Sequence, residues 1–172
     1  MKAVADTLAL VHPAKVPAFW KLMKATFEEL LIPEAVHQEI LRGREKSRSD
    51  VPIIITAIEE GWIKVRKDVK ILEPLQNYLG EGEKEAINLM LKERLDWLLI
   101  DDKLALNIAL AMGLNARYSV YLLPFWIRRG MLGSSKALEL LDQLVETGYY
   151  LRPTDYMSVR KLIGTNSSTI HS

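Results

Sequence analysis

The chain has 172 residues, of which 49% are hydrophobic and 26% are charged, and its formal net charge is +1. These values are typical of one ordinary folded domain and exclude a disordered or fibrous chain, while the near-neutral charge excludes the overall basic character of a dedicated DNA-binding protein. The chain has no cysteine, which excludes disulfides, zinc–thiolate sites and cysteine nucleophiles, so any metal must be bound by oxygen or imidazole.

The N-terminal segment is apolar, with the sequence MKAVADTLALV. Asp6 interrupts it too early for the hydrophobic core of a signal peptide or for a membrane span. We therefore expect a cytoplasmic protein that does not enter a membrane. Residues 3–5 predict a short buried strand that ends at Asp6 and Thr7, which puts the Asp6 carboxylate at the edge of a sheet.

Short apolar runs and helical patterns alternate along the rest of the chain. Further strands are predicted at residues 30–32, 62–65, 97–100 and 116–118. Helices are predicted at residues 16–24, 33–43, 51–60, 83–93, 102–112, 119–130, 136–147 and 153–163. The charged segment 42–50 is predicted to be a mobile surface loop.

This alternation predicts an α/β fold of three layers, with a mostly parallel sheet of four to five strands and helices on both faces. We expect a single domain over residues 1–164, in which 134–164 form a C-terminal helical extension, followed by a flexible tail at 165–172. In such sheets, ligands bind beyond the carboxyl ends of the strands. Asp6, Asp101 and Asp102 directly follow predicted strands and are therefore expected at that edge.

Carboxylates that meet at one sheet edge repel each other and raise each other's pKa unless a cation neutralises them. Mg²⁺ and Mn²⁺ suit oxygen ligands, and Mg²⁺ keeps several waters in an octahedral shell at roughly 2.0–2.1 Å. One such water is the expected nucleophile for a phosphodiester, and a second ion about 3.5–4 Å away would stabilise the leaving oxygen. Residue spacing leaves open whether one ion binds or two.

Four motifs occur in a fixed order: VADT at residues 4–7, IPEAVHQEIL at 32–41, GEGEKEAINL at 80–89 and LLIDDKLALNIALAMGL at 98–114. In this order they resemble the pattern of PIN-domain proteins. More narrowly, they are similar to the branch with an IPEAV segment, a GExEAI helix and a paired LDD, whose members are VapC-like toxins or predicted nucleic-acid-binding proteins. The resemblance spans about residues 3–164 and includes the Gly-Tyr-Tyr step at 148–150.

The resemblance implies a PIN-like domain with Mg²⁺- or Mn²⁺-dependent ribonuclease activity. The catalytic and metal-binding acids that it implies are Asp6, Glu39, Glu85, Asp101 and Asp102. Thr7 and Ser119 match hydroxyl positions that support the acids or the water around the metal. Glu83 is an alternative to Glu85. The two lie about 200° apart on a helix and cannot both face one site, and periodicity alone does not decide between them, although the family pattern favours Glu85.

The resemblance also implies the toxin of a toxin–antitoxin pair, with RNA as substrate and a small antitoxin protein that blocks the acidic cleft. The alternative is a catalytically weak nucleic-acid-binding or adaptor module. This alternative is based on two departures from the family pattern. The family usually has Ser and Pro after Asp-Thr, where this chain has Leu8 and Ala9, and the family's Gly-Thr step is replaced by Tyr118-Ser119. A haloacid-dehalogenase-type phosphatase ranks last, because it requires Asp-x-Asp and the third position here is Leu8.

Basic side chains near these motifs are candidates for phosphate contacts: Lys15, Lys103, Arg117, Arg128 and Arg129. The histidines, His12, His37 and His171, lack a metal-ligand spacing and are interpreted as structural. The apolar segment 121–126 is typical of a core or a subunit interface, and on the latter interpretation we expect a homodimer.

Overall fold

The computed structural model describes residues 1–44, 46, 48–67, 69–70 and 78–166. Within them, helices and strands form a three-layer α/β/α domain, as predicted. The strands are β1 Lys2–Ala5, β2 Glu29–Pro33, β3 Ile63–Arg66, β4 Trp97–Leu99 and β5 Ala116–Arg117. The helices are α1 Leu8–Ala14, α2 Pro17–Thr26, α3 Glu34–Arg44, α4 Asp50–Glu59, α5 Glu81–Glu93, α6 Lys103–Ala111, α7 Leu122–Arg128, α8 Ser134–Glu146 and α9 Pro153–Asn166, with one 3₁₀ turn at Ser119–Tyr121.

The five strands form one parallel sheet in the order β3-β2-β1-β4-β5. The chain passes from β1 to β2 on one side, and β4 pairs with β1 on the other, with Ala5 opposite Leu99. A sheet whose connections diverge in this way has a crevice at the carboxyl ends of the two diverging strands. The residues that follow β1 and β4 therefore meet at that crevice.

Two hydrophobic cores cover the two faces of the sheet. Side chains alternate along a strand, so Ala3 and Ala5 of β1 face one core, which includes Phe19 and Trp126. Val4 faces the other core, which α5 and α6 cover and which includes Ile87. Burial on both faces explains why the three central strands, β1, β2 and β4, are apolar at nearly every position.

Helix α1 was not predicted from the sequence. It has only seven residues, and Pro13 lies near its end. An isolated helix of this length is unstable in water. Burial of Ala9, Leu10 and Val11 in the core stabilises it here. Because α1 starts two residues after Asp6, its first turn can contact that carboxylate.

Several predicted boundaries differ from the structure. Helix α3 continues through Arg44, so the predicted loop 42–50 begins later, and its residues 45 and 47 lie outside the described residues. Helix α5 starts at Glu81 and not at residue 83. Helix α9 runs to Asn166, and the remainder of the predicted tail lies outside the described residues.

The apolar segment 121–126 packs inside the domain. Leu122, Leu123 and Trp126 are all 0% exposed, and the Trp126 ring meets Phe19 edge to face at 4.7 Å. The segment therefore belongs mainly to the core, although Tyr121 and Phe125 are only partly buried. The homodimer stays a prediction. No helix within the described residues has the length and apolar character needed to span a bilayer.

Candidate active site

Asp6 directly follows β1 and is held by backbone groups. Its side chain is buried, at 1% exposure. Oδ1 accepts a hydrogen bond from the backbone N–H of Ala9 at 2.8 Å, and Oδ2 accepts one from the backbone N–H of Asp101 at 3.0 Å. The backbone N–H of Asp6 itself donates to the Leu99 carbonyl at 3.0 Å. The first turn of α1 and the end of β4 therefore fix the orientation of this carboxylate.

Asp101 lies beside Asp6 and accepts three hydrogen bonds. Ser119 donates its backbone N–H to Oδ1 at 2.7 Å and its hydroxyl to Oδ2 at 2.6 Å. Tyr149 donates its hydroxyl to Oδ1 at 3.0 Å. Ser119 was singled out from the sequence as a supporting hydroxyl. Tyr149 was not, although it belongs to the Gly-Tyr-Tyr step noted in the sequence.

Tyr149 reaches Asp101 through a tight turn after α8. Gly148 has φ +88°, a left-handed conformation that glycine adopts without steric cost. The Tyr149 ring is 5% exposed and packs edge to face on His12, whose Nδ1 lies 2.9 Å from the Thr147 hydroxyl. Burial, and then the charge of Asp101, raise the pKa of Tyr149 well above its usual value. Its hydroxyl therefore keeps its proton and acts as a donor.

Asp6 and Asp101 are electrostatically linked. Burial raises the pKa of Asp6 well above its usual value, and the charge of Asp101 raises it further. Burial raises the pKa of Asp101 to about 6, although the hydrogen bonds from Ser119 and Tyr149 oppose this shift. Two neighbouring like charges, of which Asp6 is buried and Asp101 is partly buried, disfavour simultaneous ionisation unless a cation compensates them.

Glu39 of α3 and Glu83 of α5 extend the acidic cluster. Burial raises the pKa of Glu83, and the charges of Glu39 and Asp102 contribute in the same direction. Glu39 accepts a hydrogen bond from the Thr7 hydroxyl. A Cβ at Gly82 would lie 3.0 and 3.1 Å from the two Glu39 carboxylate oxygens, so the glycine allows α5 to approach this carboxylate closely.

Glu85 contacts the start of α3. Its Oε2 accepts a hydrogen bond from the backbone N–H of Ala35 at 2.9 Å, in the first turn of α3. Glu83, in contrast, contributes to the raised pKa of Asp6. The structure thus brings Glu83 into electrostatic contact with the other acids and gives Glu85 a partner at a helix N-terminus. Which of the two binds metal stays a prediction.

Asp102 combines a capping position with access to a cleft. Its Oδ1 accepts a hydrogen bond from the backbone N–H of Ala105 at 2.8 Å, so it caps α6. Asp101 and Asp102 both line a cleft of about 410 Å³, together with Lys103, Leu8 and Tyr118. The two bulky residues that depart from the family pattern therefore lie along the approach to the acids.

A divalent cation fits the chemistry of this cluster. Its donors are carboxylate oxygens, which Mg²⁺ and Mn²⁺ prefer, and a cation would relieve the repulsion that contributes to the raised pKa values of Asp6 and Glu83. Within the part of the chain that the structure describes, no three acidic or histidine side chains are grouped closely enough to hold a metal ion. Mg²⁺ is usually bound through only one or two carboxylates and keeps several waters, so Asp101 and its neighbours would hold it without a third protein ligand.

The remaining residues singled out from the sequence have different surroundings. Lys15 lies 3.8 Å from the buried carboxylate of Asp50 and is not free for phosphate. Lys103 lines the cleft. His37 lies 3.7 Å from Glu34 on the same helix, and His171 falls outside the described residues.

Comparisons with known proteins give one family match. A family model described as a PIN domain matches residues 2–165. Among solved structures, the chain resembles a domain of a functionally unknown protein from Methanocaldococcus jannaschii DSM 2661, with a TM-score of 0.46 and 23% identity over 68% of this chain and 89% of that one. No curated protein matches the chain at a significant level. The family match covers nearly the whole length.

Proposed function

The chain belongs to the PIN-domain family, whose members are generally nucleases, and on this premise we propose that it is a divalent-metal-dependent ribonuclease, the cytosolic toxin of a toxin–antitoxin pair. The observation that carries the proposal is the pair of acids Asp6 and Asp101. They lie at the carboxyl ends of adjacent parallel strands, share a hydrogen bond, and both have a raised pKa. Perturbed, mutually coupled acids beside a cleft are typical of functional sites.

Asp6, Asp101 and Asp102 are the strand-end acids proposed to hold the cation, with Glu39 from α3. We propose Glu83 as the contribution of α5, because Glu83 interacts with Glu39 and Asp102. Glu85 instead bonds the start of α3. A bound Mg²⁺ or Mn²⁺ supplies Lewis acidity and lowers the pKa of coordinated water.

The protein's own residues would orient the reacting groups. Ser119 and Tyr149 hold Asp101 in one orientation, and the backbone donors of Ala9 and Asp101 hold Asp6. Fixed carboxylates need no reorganisation during the reaction, which favours catalysis. The ammonium group of Lys103, in the same cleft, would attract the phosphate of the substrate.

A second candidate is a nucleic-acid-binding or adaptor module with weak or absent turnover. It is favoured by the finding that, among the described residues, no three acidic or histidine side chains are grouped closely enough to hold a metal ion. Leu8, which is 42% exposed, and Tyr118 also line the cleft and narrow access to Asp101. The two candidates differ in whether RNA is cut or only bound.

The test is incubation of the purified protein with labelled single-stranded and structured RNAs in Mn²⁺ or Mg²⁺. Wild type is compared with Asp6→Asn, Asp101→Asn and a control, Asp142→Asn, whose carboxylate accepts a hydrogen bond from Tyr156 on the surface. We expect cleavage by wild type and the control only. If wild type cuts no better than Asp101→Asn, the nuclease proposal fails and the adaptor function gains support.

Asp101→Asn is the cleaner of the two active-site substitutions. The new amide can donate to the Ser119 hydroxyl and still accept from Tyr149. An amide at position 6 would instead place an N–H₂ group against the backbone N–H of Ala9 or Asp101, both of which are donors. A buried donor left without an acceptor costs about 1–3 kcal/mol, so Asp6→Asn mixes a loss of activity with a loss of stability.

The toxin part of the proposal has its own test. Expression of wild type in a bacterial host should arrest growth, and expression of Asp101→Asn should not. A short neighbouring reading frame that encodes a DNA-binding domain would supply the antitoxin, and its coexpression should restore growth. Cleavage of RNA in vitro without any effect on growth would contradict the toxin role while leaving the nuclease activity intact.

A further inference from the structure

Arginine and aromatic side chains form a continuous row at the edge of the sheet. The guanidinium of Arg117, at the end of β5, lies 3.9 Å from the centre of the Trp97 ring. Trp97 meets Phe125 edge to face at 4.7 Å, and Arg129 lies 5.3 Å from the centre of the Phe125 ring. Arg128 is the neighbour of Arg129 at the end of α7. We call Arg117, Arg128 and Arg129 the arginine surface.

The positive charges of the arginine surface are not compensated. Within the described residues, none of the three arginines forms a salt bridge with a carboxylate, whereas Arg48, Arg66 and Arg152 each do. Burial lowers the pKa of Arg117, and the like charge of Arg128 lowers it further. Like charges gathered without an acid destabilise the folded protein unless an anion binds there.

Arg117 also has an unused donor. Its terminal nitrogen donates to the side chain of Asn115, but its Nε is buried without a hydrogen-bond partner in the structure. Buried donors in native proteins nearly always have an acceptor. Because Nε is buried, a phosphate outside the protein would interact with the charge of Arg117 and with the exposed guanidinium groups of Arg128 and Arg129, and the guanidinium group is well suited to such oxygen anions.

Cation–π stacking alone does not account for this arrangement. Stacking would explain why Arg117 and Arg129 each cover an aromatic ring. Arg160 makes the same kind of contact with Tyr156, at 5.6 Å, where it also donates a hydrogen bond to the Tyr156 hydroxyl at 3.0 Å, and the charge of Asp142 adds a smaller stabilising contribution. The arginine surface lacks such an acid within the described residues, so its chemistry points to an anionic ligand.

The surface adjoins the candidate active site. Arg117 precedes Ser119 by two residues, and Ser119 donates both of its hydrogen bonds to Asp101. The carbonyl of Arg117 accepts a hydrogen bond from the backbone N–H of Ile100, the residue before Asp101. The guanidinium of Arg117 lies over Trp97, the first residue of β4 and four residues before Asp101, which corresponds to roughly 13 Å along a strand. A polynucleotide held at Asp101 would therefore have to extend along the β5 edge for a few nucleotides to reach it, and its backbone carries one negative charge per nucleotide.

We propose that Arg117, Arg128 and Arg129 bind phosphates of a single-stranded RNA outside the cleft that contains Asp101. The inference rests on the proposed function, because it assigns a path to the same substrate strand. It predicts that the protein recognises an extended polynucleotide and not only the nucleotide at the cleft. The binding is electrostatic and independent of base sequence, since phosphate contacts carry no sequence information.

The test measures binding without cleavage. The anisotropy of a labelled single-stranded RNA is followed in EDTA at increasing KCl concentrations, for wild type and for Arg128→Gln/Arg129→Gln. Both arginines are exposed, so this variant should fold. The control is Arg160→Gln/Lys161→Gln, which removes the same charge from exposed positions on α9.

Each phosphate contact contributes about 0.7 to the slope of log affinity against log salt for a single strand. We therefore expect the slope of Arg128→Gln/Arg129→Gln to fall by about 1.4 in magnitude and that of the control to stay at the wild-type value. Binding of a labelled mononucleotide should be equal in all three proteins. Three results would each overturn the inference. The two double variants could have equal slopes, Arg128→Gln/Arg129→Gln could lose mononucleotide binding as strongly as it loses RNA binding, or wild type could bind no RNA.

The outcome is separable from that of the nuclease proposal. Arginine-dependent RNA binding in EDTA, together with no cleavage in Mn²⁺, supports the arginine surface and contradicts only the nuclease activity. Cleavage that requires Asp101, together with equal slopes for the two double variants, contradicts only the arginine surface.

Discussion

The Tyr149 hydroxyl donates a hydrogen bond to Oδ1 of Asp101, across 48 residues of sequence and a distance of 3.0 Å. This bond connects the turn after α8 to the end of β4. Ser119 orients the same carboxylate from the start of the 3₁₀ turn. The C-terminal helices therefore contribute directly to the geometry of the candidate site.

Tyr149→Phe should lower Mn²⁺ affinity and RNA cleavage by roughly 10- to 100-fold, the usual effect of removing a hydrogen bond to a metal ligand. The ring and its contact with His12 are retained, so the free energy of unfolding should fall by no more than the value of one hydrogen bond to a charged group, about 1.5–3 kcal/mol. Isothermal titration with Mn²⁺ and a cleavage assay measure the two effects. Because the hydroxyl holds the pKa of Asp101 down, the pH at which cleavage becomes half-maximal should also rise.

Tyr150→Phe is the matched control for this prediction. Tyr150 is the next residue and is 83% exposed, and it loses the same hydroxyl group. Its Mn²⁺ affinity and pH profile should equal those of wild type. Equal behaviour of the two variants would show that Tyr149 has only a packing role.

Glu83→Gln and Glu85→Gln should separate the two acids of α5. Glu83→Gln removes a proposed metal ligand, so this variant should lose cleavage activity. It also removes a charge that the other acids repel, so the metal-free variant should be more resistant to urea than wild type. Glu85→Gln removes a charge at the N-terminus of α3, where an anion contributes typically 0.3–1 kcal/mol. It should therefore lose about that much stability and keep its activity. The reverse pattern would identify Glu85 as the ligand.

Gly82→Ala should reduce activity because the new Cβ would crowd both oxygens of Glu39. Gly164→Ala is the control, since a Cβ there meets nothing within 4 Å and the residue is also helical. Alanine is favoured over glycine in a helix by up to about 1 kcal/mol, so the control should gain stability without losing activity. Full activity in Gly82→Ala would mean that the position of Glu39 is not important.

The stability of the metal-free protein should fall as the pH rises through about 6. Folding raises the pKa values of Asp6 and Asp101, so the folded state favours their protonated forms. The stability from this effect is complete below the unfolded pKa of about 4 and is lost as the pH passes the folded value. Urea unfolding in EDTA across this range measures it. Asp101→Asn should show a smaller loss than wild type, and an equal loss would contradict the role assigned to this pair.

The strands and helices that could be predicted from the sequence are those in which the pattern of apolar residues matches the pattern of buried positions in the structure. Strands β1 and β4 are short apolar runs between charged residues, which is sufficient to place Asp6 and Asp101 at the same sheet edge. Helix α1 was missed because its stability comes from tertiary packing and not from a periodic pattern. The segment 121–126 was interpreted partly as an interface because composition does not distinguish a buried helix from an exposed apolar surface.

The support around the acids was less predictable. Tyr149 reaches Asp101 through the turn at Gly148, and residue spacing cannot reveal a contact between such distant segments. The directions of Glu83 and Glu85 depend on the exact start of α5 and on side-chain conformations, which periodicity does not fix. The stacking of Arg117 on Trp97 depends on the pairing of β4 with β5.

The most direct measurement of the central claim is Mn²⁺ binding to the metal-free protein by isothermal titration calorimetry, without any nucleic acid. We predict saturable binding to wild type and to Asp142→Asn, and an affinity lower by more than about 100-fold for Asp101→Asn, since removing a ligand exceeds the loss of a supporting hydrogen bond. The absence of Mn²⁺ binding to wild type, or equal affinity in Asp101→Asn, would contradict a metal-dependent site at these acids.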